Sequence, residues 1–311
     1  EFADSISLDT HQTGADYTAA KVRVDRIDYL IGTCVLLLWT IGGGLDLLSR
    51  VWRDLDISSV WTGTGFILSA FLMFGLLDMP MSAYRTFVLE EKFGFNNTTL
   101  RVFLTDTVKQ GVIMLALGLP LMAVVLWLMQ EAGQLWWLFA WLVWAGFSML
   151  LIWLYPVLIA PLFNKFSPLD NHQLEIRINA LLERNGLNMK GVFVMDGSRR
   201  SGHGNAYFTG FGASKRIIFF DTLLQGLEDE EVEAVLAHEV GHFKKHHIKK
   251  QIMVRMALSL AVLAVLGWLV DRTWFYHGLG VSEPSLAAAL LLFLLVSPMF
   301  LFFLQPVAAK L

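Results

Sequence analysis

Positions 135–162 carry no charged residue for 28 consecutive residues, and that run restricts the chain more than any other feature. It exceeds the roughly 20 apolar residues needed to cross a hydrocarbon core about 30 Å thick. Inside lipid every main-chain N–H and C=O must find its partner within the protein, so a run of this length and composition is helical. Five further runs qualify: 29–48, 60–77, 111–129, 252–270 and 286–304. The first is interrupted by Gly42, Gly43, Gly44 and Asp46, and the fifth holds Arg255 near its start. The composition agrees, with 55% hydrophobic and 16% charged residues and a mean hydropathy of +0.55. These values place the chain among membrane proteins. A formal charge of −3 gives no basis for a nucleic-acid partner. Cys34, the single cysteine, lies in an apolar run and reads as a packed small hydrophobe. The first 27 residues are polar, unlike a cleavable signal peptide.

Six spans predict three regions. Residues 1–162 form an N-terminal membrane region of four spans, 163–251 a water-exposed domain, and 252–311 two further spans. The N-terminal segment, 78–110 and 163–251 fall on one side; they include Lys21, Arg23, Arg26, Arg85, Lys92 and Arg101. The opposite side offers Arg50, Arg53 and Arg272. The positive-inside rule therefore places 163–251 in the cytoplasm. Within it, helical spacing covers 174–185, short strands are predicted at 191–195, 205–209 and 216–220, and helical spacing returns over 228–250.

The last of these helices contains His238-Glu239-Val240-Gly241-His242. Residues four apart share one helix face, so the two imidazoles can converge on one zinc ion. Glu239 is placed to act as a base toward a zinc-activated water rather than as a ligand. Gly241 permits close approach. By itself the five-residue pattern is a moderate signal, and a solvated helix with incidental histidines is the bland alternative. Lys244, Lys245, His246 and His247 read as a membrane-proximal basic face. Zinc needs a third protein ligand, and none is evident. Asp271 and Glu283 fall on the opposite side of the membrane, while Asp46 and Asp78 lie near span ends, Asp78 the better placed. The strand at Asn205, Ala206 and Tyr207 can hold a peptide by adding it to a sheet edge; ordinary sheet residues are the alternative.

Several stretches together carry a more specific resemblance: Glu90-Glu-Lys-Phe-Gly-Phe-Asn96, Ala160-Pro-Leu-Phe-Asn-Lys-Phe166, Asp196-Gly-Ser-Arg-Arg-Ser-Gly-His-Gly-Asn-Ala-Tyr-Phe-Thr-Gly210, Lys215-Arg216 with Phe220-Asp221-Thr222, and Ala234-Val-Leu-Ala-His-Glu-Val-Gly-His242. The chain resembles the type I CAAX prenyl endopeptidases, integral-membrane zinc metalloproteases, and looks like a prokaryotic member. The resemblance implies a mainly α membrane protein, a multi-span helical barrel around a chamber, with a small α+β zincin-like cytosolic domain. It implies that His238 and His242 bind Zn²⁺, that Glu239 is the general base, and that Asn205 and Ala206 contact the substrate backbone. The expected substrate is a peptide or membrane protein, lipidated or membrane-associated, and the expected setting is the lipid bilayer with the site facing the cytoplasm. The family's third ligand stands on a helix beyond the last span, past residue 311, so the chain is read as an internal stretch of a longer protease. Two other classes are compatible with the residues: a catalytically incomplete, non-catalytic membrane module, or a transporter whose solute flux would survive His238→Ala.

Overall fold

The computed structural model describes residues 8–187, 191–209, 216–244 and 247–303. Twelve α-helices occur among them: α1 Leu8–Trp39, α2 Gly44–Arg53, α3 Ser59–Tyr84, α4 Leu100–Glu131, α5 Trp136–Leu154, α6 Ala160–Phe163, α7 His172–Arg184, α8 Asp221–Gly226, α9 Asp229–Lys244, α10 His247–Leu269, α11 Thr273–Gly278 and α12 Leu286–Phe302. Two π-helical segments, Arg85–Glu90 and Tyr155–Ile159, extend α3 and α5. Four strands form a single sheet: β1 Phe166–Pro168, β2 Val192–Met195, β3 Ala206–Thr209 and β4 Arg216–Phe220. The chain divides into two compact units. One comprises Glu1–Arg85, Val108–Ala145 and Ala257–Leu311, and the other Thr86–Thr107 and Gly146–Met256.

The first unit is helical. Ser59–Glu90, Leu100–Glu131, Gly133–Phe163 and Lys250–Leu269, each with residues in both units, are long and apolar enough to cross a membrane, and Leu286–Phe300, in the first unit, is a shorter apolar helix. The expected first span, 29–48, is instead the end of the long helix α1, followed by a 50° bend into α2. Gly43, at φ 81°, takes the left-handed conformation in the break between the two helices, as the residue that precedes α2. Small residues allow close helix approach: a Cβ on Gly63 of α3 would lie 2.9 Å from the Ala287 Cβ of α12. Hydrogen bonds within the apolar unit join Trp52 Nε1 to Ser69 Oγ at 2.9 Å and Trp141 Nε1 to Ser259 Oγ at 3.2 Å. Arg85 forks across two carboxylates one turn apart on α1, Asp25 at 2.7 Å and Asp28 at 2.6 Å.

The second unit contains the sheet, in the order β1-β2-β4-β3. β1 runs antiparallel to β2, β2 parallel to β4, and β3 antiparallel to β4. Strands β2 to β4 follow the apolar runs in the sequence. β1, three residues long and containing Pro168, carries too little periodicity to be predicted. Alternation along β3 and β4 puts Ala206, Phe208, Ile217 and Phe219 on one face. Against it pack Leu174, Ile178 and Leu182 of α7 and Val232, Leu236 and Val240 of α9. Both helices present residues i, i+4 and i+8, the stripe a helix needs to lie on a sheet. Their starts are tied together: Asn171 accepts from the Leu174 N–H at 3.0 Å, as an N-cap, and its side-chain amide donates to Asp229 at 3.1 Å. Asp229, Glu230 and Glu231 occupy the first turn of α9, where the helix dipole favours negative charge.

Leu236 is fully buried between α9 and the sheet. Leu236→Ala is expected to destabilise this unit by about 2–5 kcal/mol. Amide exchange should accelerate in α7, α9 and β4 while the apolar helices keep their protection.

Candidate active site

The α-helix of α9 is continuous from Asp229 through Lys244, so His238, Glu239 and His242 stand on one uninterrupted helix with the histidines one turn apart. Leu236 and Val240, which frame His238, are buried in the core, whereas His238 and Gly241 are exposed. A Cβ built on Gly241 would meet nothing within 4 Å, so the space beside the motif is open among the described residues. The side chains of Glu239 and His242 lie outside the described set, as do residues 245–246 of the basic run.

Two imidazoles one helical turn apart match the bite of a single zinc ion. Among the described residues no three His, Cys, Asp or Glu side chains converge as a metal site. Two acidic residues weighed from the sequence are engaged elsewhere, in the helical unit. Asp46 accepts from the Ser282 N–H at 3.2 Å, and Glu283 pairs with Arg53. By helix spacing, His238 and His242 would supply two of the three protein ligands such a site requires.

Ala206 and Tyr207 open β3, the terminal strand of the sheet, and Asn205 immediately precedes it. The Phe220 N–H donates to the Asn205 carbonyl at 2.9 Å. By antiparallel alternation, the main-chain groups of Ala206 and Phe208 then turn away from β4 toward the outer edge. There the Ala206 N–H donates to the Asn205 side-chain carbonyl at 2.8 Å. Ala206 also belongs to the buried cluster that holds Val232, Leu236 and Val240. The edge strand and the HExxH helix are thus set by one shared core. The Tyr207 ring lies on the opposite sheet face, edge-on to Phe220 with centroids 6.3 Å apart. Burial, with a smaller contribution from Tyr155, pushes its phenol up to about 12, so Tyr207 is a neutral hydrogen-bond donor throughout the ordinary pH range.

Side chains with no evident role in the sequence surround the segment before β3. Arg200 donates to Asp106, Asn164 and the Phe163 carbonyl at 2.8, 2.8 and 2.6 Å. His203 lies 3.1 Å from Glu90 and stacks on Phe95 with ring centroids 4.2 Å apart. Arg200, His203, Asn164, Glu90 and Phe95 fall within the stretches carrying the resemblance, whereas Asp106 lies outside them.

The family model described as CAAX prenyl protease N-terminal, five membrane helices, matches residues 1–165, and that of peptidase family M48 matches residues 168–308. CAAX prenyl protease 1 of Saccharomyces cerevisiae is 38% identical over 89% of this chain and 64% of its own length. The CAAX prenyl protease 1 homolog of Dictyostelium discoideum is 37% identical over 72% of this chain and 53% of its own length. The chain thus spans between about half and two thirds of these relatives. The crystal structure of S. mikatae Ste24p superposes with a TM-score of 0.86 at 29% identity, covering 99% of this chain and 74% of that one. The mostly helical membrane architecture with its small α+β domain is therefore that of a solved membrane protein.

The raised pKa of the Tyr207 phenol couples its proton to folding. Between pH 10, the ordinary tyrosine value, and about 12, the unfolded chain has lost this proton while the folded chain keeps it. Stability should therefore fall as pH rises through that window. Tyr207→Phe should flatten the fall, read from unfolding midpoints at pH 9 and 11.

Proposed function

Because the chain belongs to the CAAX prenyl protease family of M48 peptidases, we propose that it works as a membrane-embedded zinc endopeptidase acting on peptides at the bilayer. Family membership implies a metal cofactor. Zinc is the metal that two imidazoles at i and i+4 with an adjacent Glu suit best. The observation that carries the reading is the common core of α9 and β3, which holds the HExxH helix beside a terminal strand.

His238 and His242 would hold the metal. When bound, zinc supplies Lewis acidity that polarises a carbonyl and brings the pKa of water toward neutrality. Glu239 takes the proton from the attacking water and returns it to the leaving amine. The substrate lies extended along Asn205, Ala206 and Tyr207, bonded through main-chain atoms, which tolerates many side chains. Asn205 covers the Ala206 N–H in the free protein and yields it to a substrate carbonyl. The site faces the cytoplasm, consistent with the basic residues on that side. Lipidated C-terminal peptides of the CAAX type are the favoured substrates, because the relatives are CAAX prenyl proteases and the helical unit is embedded in the bilayer.

The test uses the full chain in lipid nanodiscs with an S-farnesylated peptide ending in a CAAX sequence. Glu239→Gln should reduce hydrolysis about 10³-fold, within the range of general acid–base contributions, while zinc content is unchanged. His238→Ala should lose the zinc itself. Hydrolysis of the peptide that persists at the parental rate in Glu239→Gln would overturn the mechanism.

A further inference from the structure

The segment 197–205, which leads into β3, is bound on all sides by stretches remote in sequence. Its main chain forms an isolated antiparallel bridge, Asn96 to Ser201. The Asn97 N–H donates to the Arg200 carbonyl at 3.1 Å and the Gly202 N–H to the Phe95 carbonyl at 2.9 Å. The Thr98 hydroxyl donates to the same Arg200 carbonyl at 2.9 Å. Gly94, at φ 76°, supplies the left-handed turn that brings Phe95 to Asn97 alongside. At its two ends, the Ser198 N–H donates to Asp221 at 2.7 Å and the Thr222 hydroxyl to the His203 carbonyl at 2.9 Å.

Arg200 is the centre of this lashing. Its side chain is about 23% exposed and that of Asp106 about 16%. All three guanidinium nitrogens are used, on partners from α4 (Asp106), the residue after α6 (Asn164) and the end of α6 (Phe163). A planar fork with donors fixed in direction can satisfy three acceptors at once; an ammonium group cannot match that geometry. Three residues on, His203 adds its contacts to Glu90 and Phe95. Two residues further, Asn205 begins the strand edge.

β3 is four residues long and, among the described residues, pairs with β4 alone. A strand so short has few bonds of its own to fix its tilt and register, so the segment delivering it shares that task. We propose that Arg200, supported by Asp106 and by the His203–Glu90 contact, is a positioning residue that sets the outer edge of β3 for an incoming substrate strand. Its side-chain hydrogen-bond partners among the described residues, Asp106, Asn164 and the Phe163 carbonyl, all lie outside α9, and it acts through the 197–205 segment. This rests on the strand-addition reading of the proposed function.

The experiment uses the full chain in nanodiscs carrying Glu239→Gln, so that binding is read without turnover, with a fluorescent S-farnesylated CAAX peptide as probe. Arg200→Lys and Asp106→Asn are each expected to weaken peptide binding about tenfold and to speed amide exchange at 197–207. Exchange in α9, zinc content and the melting temperature should stay at parental values. In the Glu239-containing enzyme the same variants should raise KM with little change in kcat. Ala206→Pro, which removes the outward N–H, reports on the edge itself and should abolish binding. If Arg200→Lys and Asp106→Asn bind within twofold of the parent while Ala206→Pro does not bind, the positioning role is overturned and the edge reading stands. If Ala206→Pro binds as the parent does, the edge reading falls and this proposal with it. A fall in melting temperature in both Arg200→Lys and Asp106→Asn would assign these residues to stability and also overturn the proposal.

Discussion

The sheet-to-helix core of the second unit is the contact on which the site depends. Val232, Leu236 and Val240 on α9 are buried with Ala206, Ile217 and Phe219 on the sheet and with Leu174, Ile178 and Leu182 on α7. Burying these side chains supplies the dominant favourable free energy for the unit. The same burial fixes the rotation of α9 about its own axis. Because Leu236 and Val240 must face the sheet, the positions between and beyond them, including exposed His238, are committed to another face. Packing and chemistry thus share one helix through its 3.6-residue period.

Around that core, and the half-buried hydrophobic residues such as Leu181, Phe208 and Leu223 that pack on it, the unit is also held by directed polar contacts. Asn171 joins the starts of α7 and α9, and Arg177 pairs with Glu230 at 2.7 Å across the same two helices. Arg200 gathers partners 94 and 36 positions away in the sequence, and His203 reaches one 113 positions away. Such contacts specify geometry more than they add stability, since each exchanges a hydrogen bond to water for one within the protein. Two elements in this unit are unusual in themselves. Glu90 closes one π-helical segment, and Tyr155, which perturbs Tyr207, opens the other. Helices that carry a π-turn redirect one face of side chains, and such turns recur where function requires it.

The apolar helices follow a different logic. Their outward faces are occupied by large hydrophobic residues such as Trp127, Leu142 and Trp153, each more than half exposed, as lipid contact requires. Contacts between them rely on small residues and on a few buried hydrogen bonds. The Arg85 fork to Asp25 and Asp28 joins α1 to the end of α3 by charge, and such ion pairs near lipid are retained only with their partners in place.

Much of this was legible in the residues alone. Long uncharged runs dictate helices because lipid offers no hydrogen-bond partners. The His238–His242 spacing dictates a two-imidazole face because an α-helix repeats every 3.6 residues. The runs at 191–195, 205–209 and 216–220 declared three of the four strands by their β-branched and aromatic content. The start of α1, the bend at Gly43 and the three-residue β1 escaped, because termini and breaks depend on neighbours more than on local pattern. Only the tertiary structure decided that β3 is the terminal strand of the sheet, that α9 lies against the face carrying Ala206, and that the stretches at 90–106, 163–164 and 221–222 converge on 197–205. Periodicity records which face of an element is apolar. It does not record which distant element covers that face, because that choice is made by packing and chain closure across the whole unit.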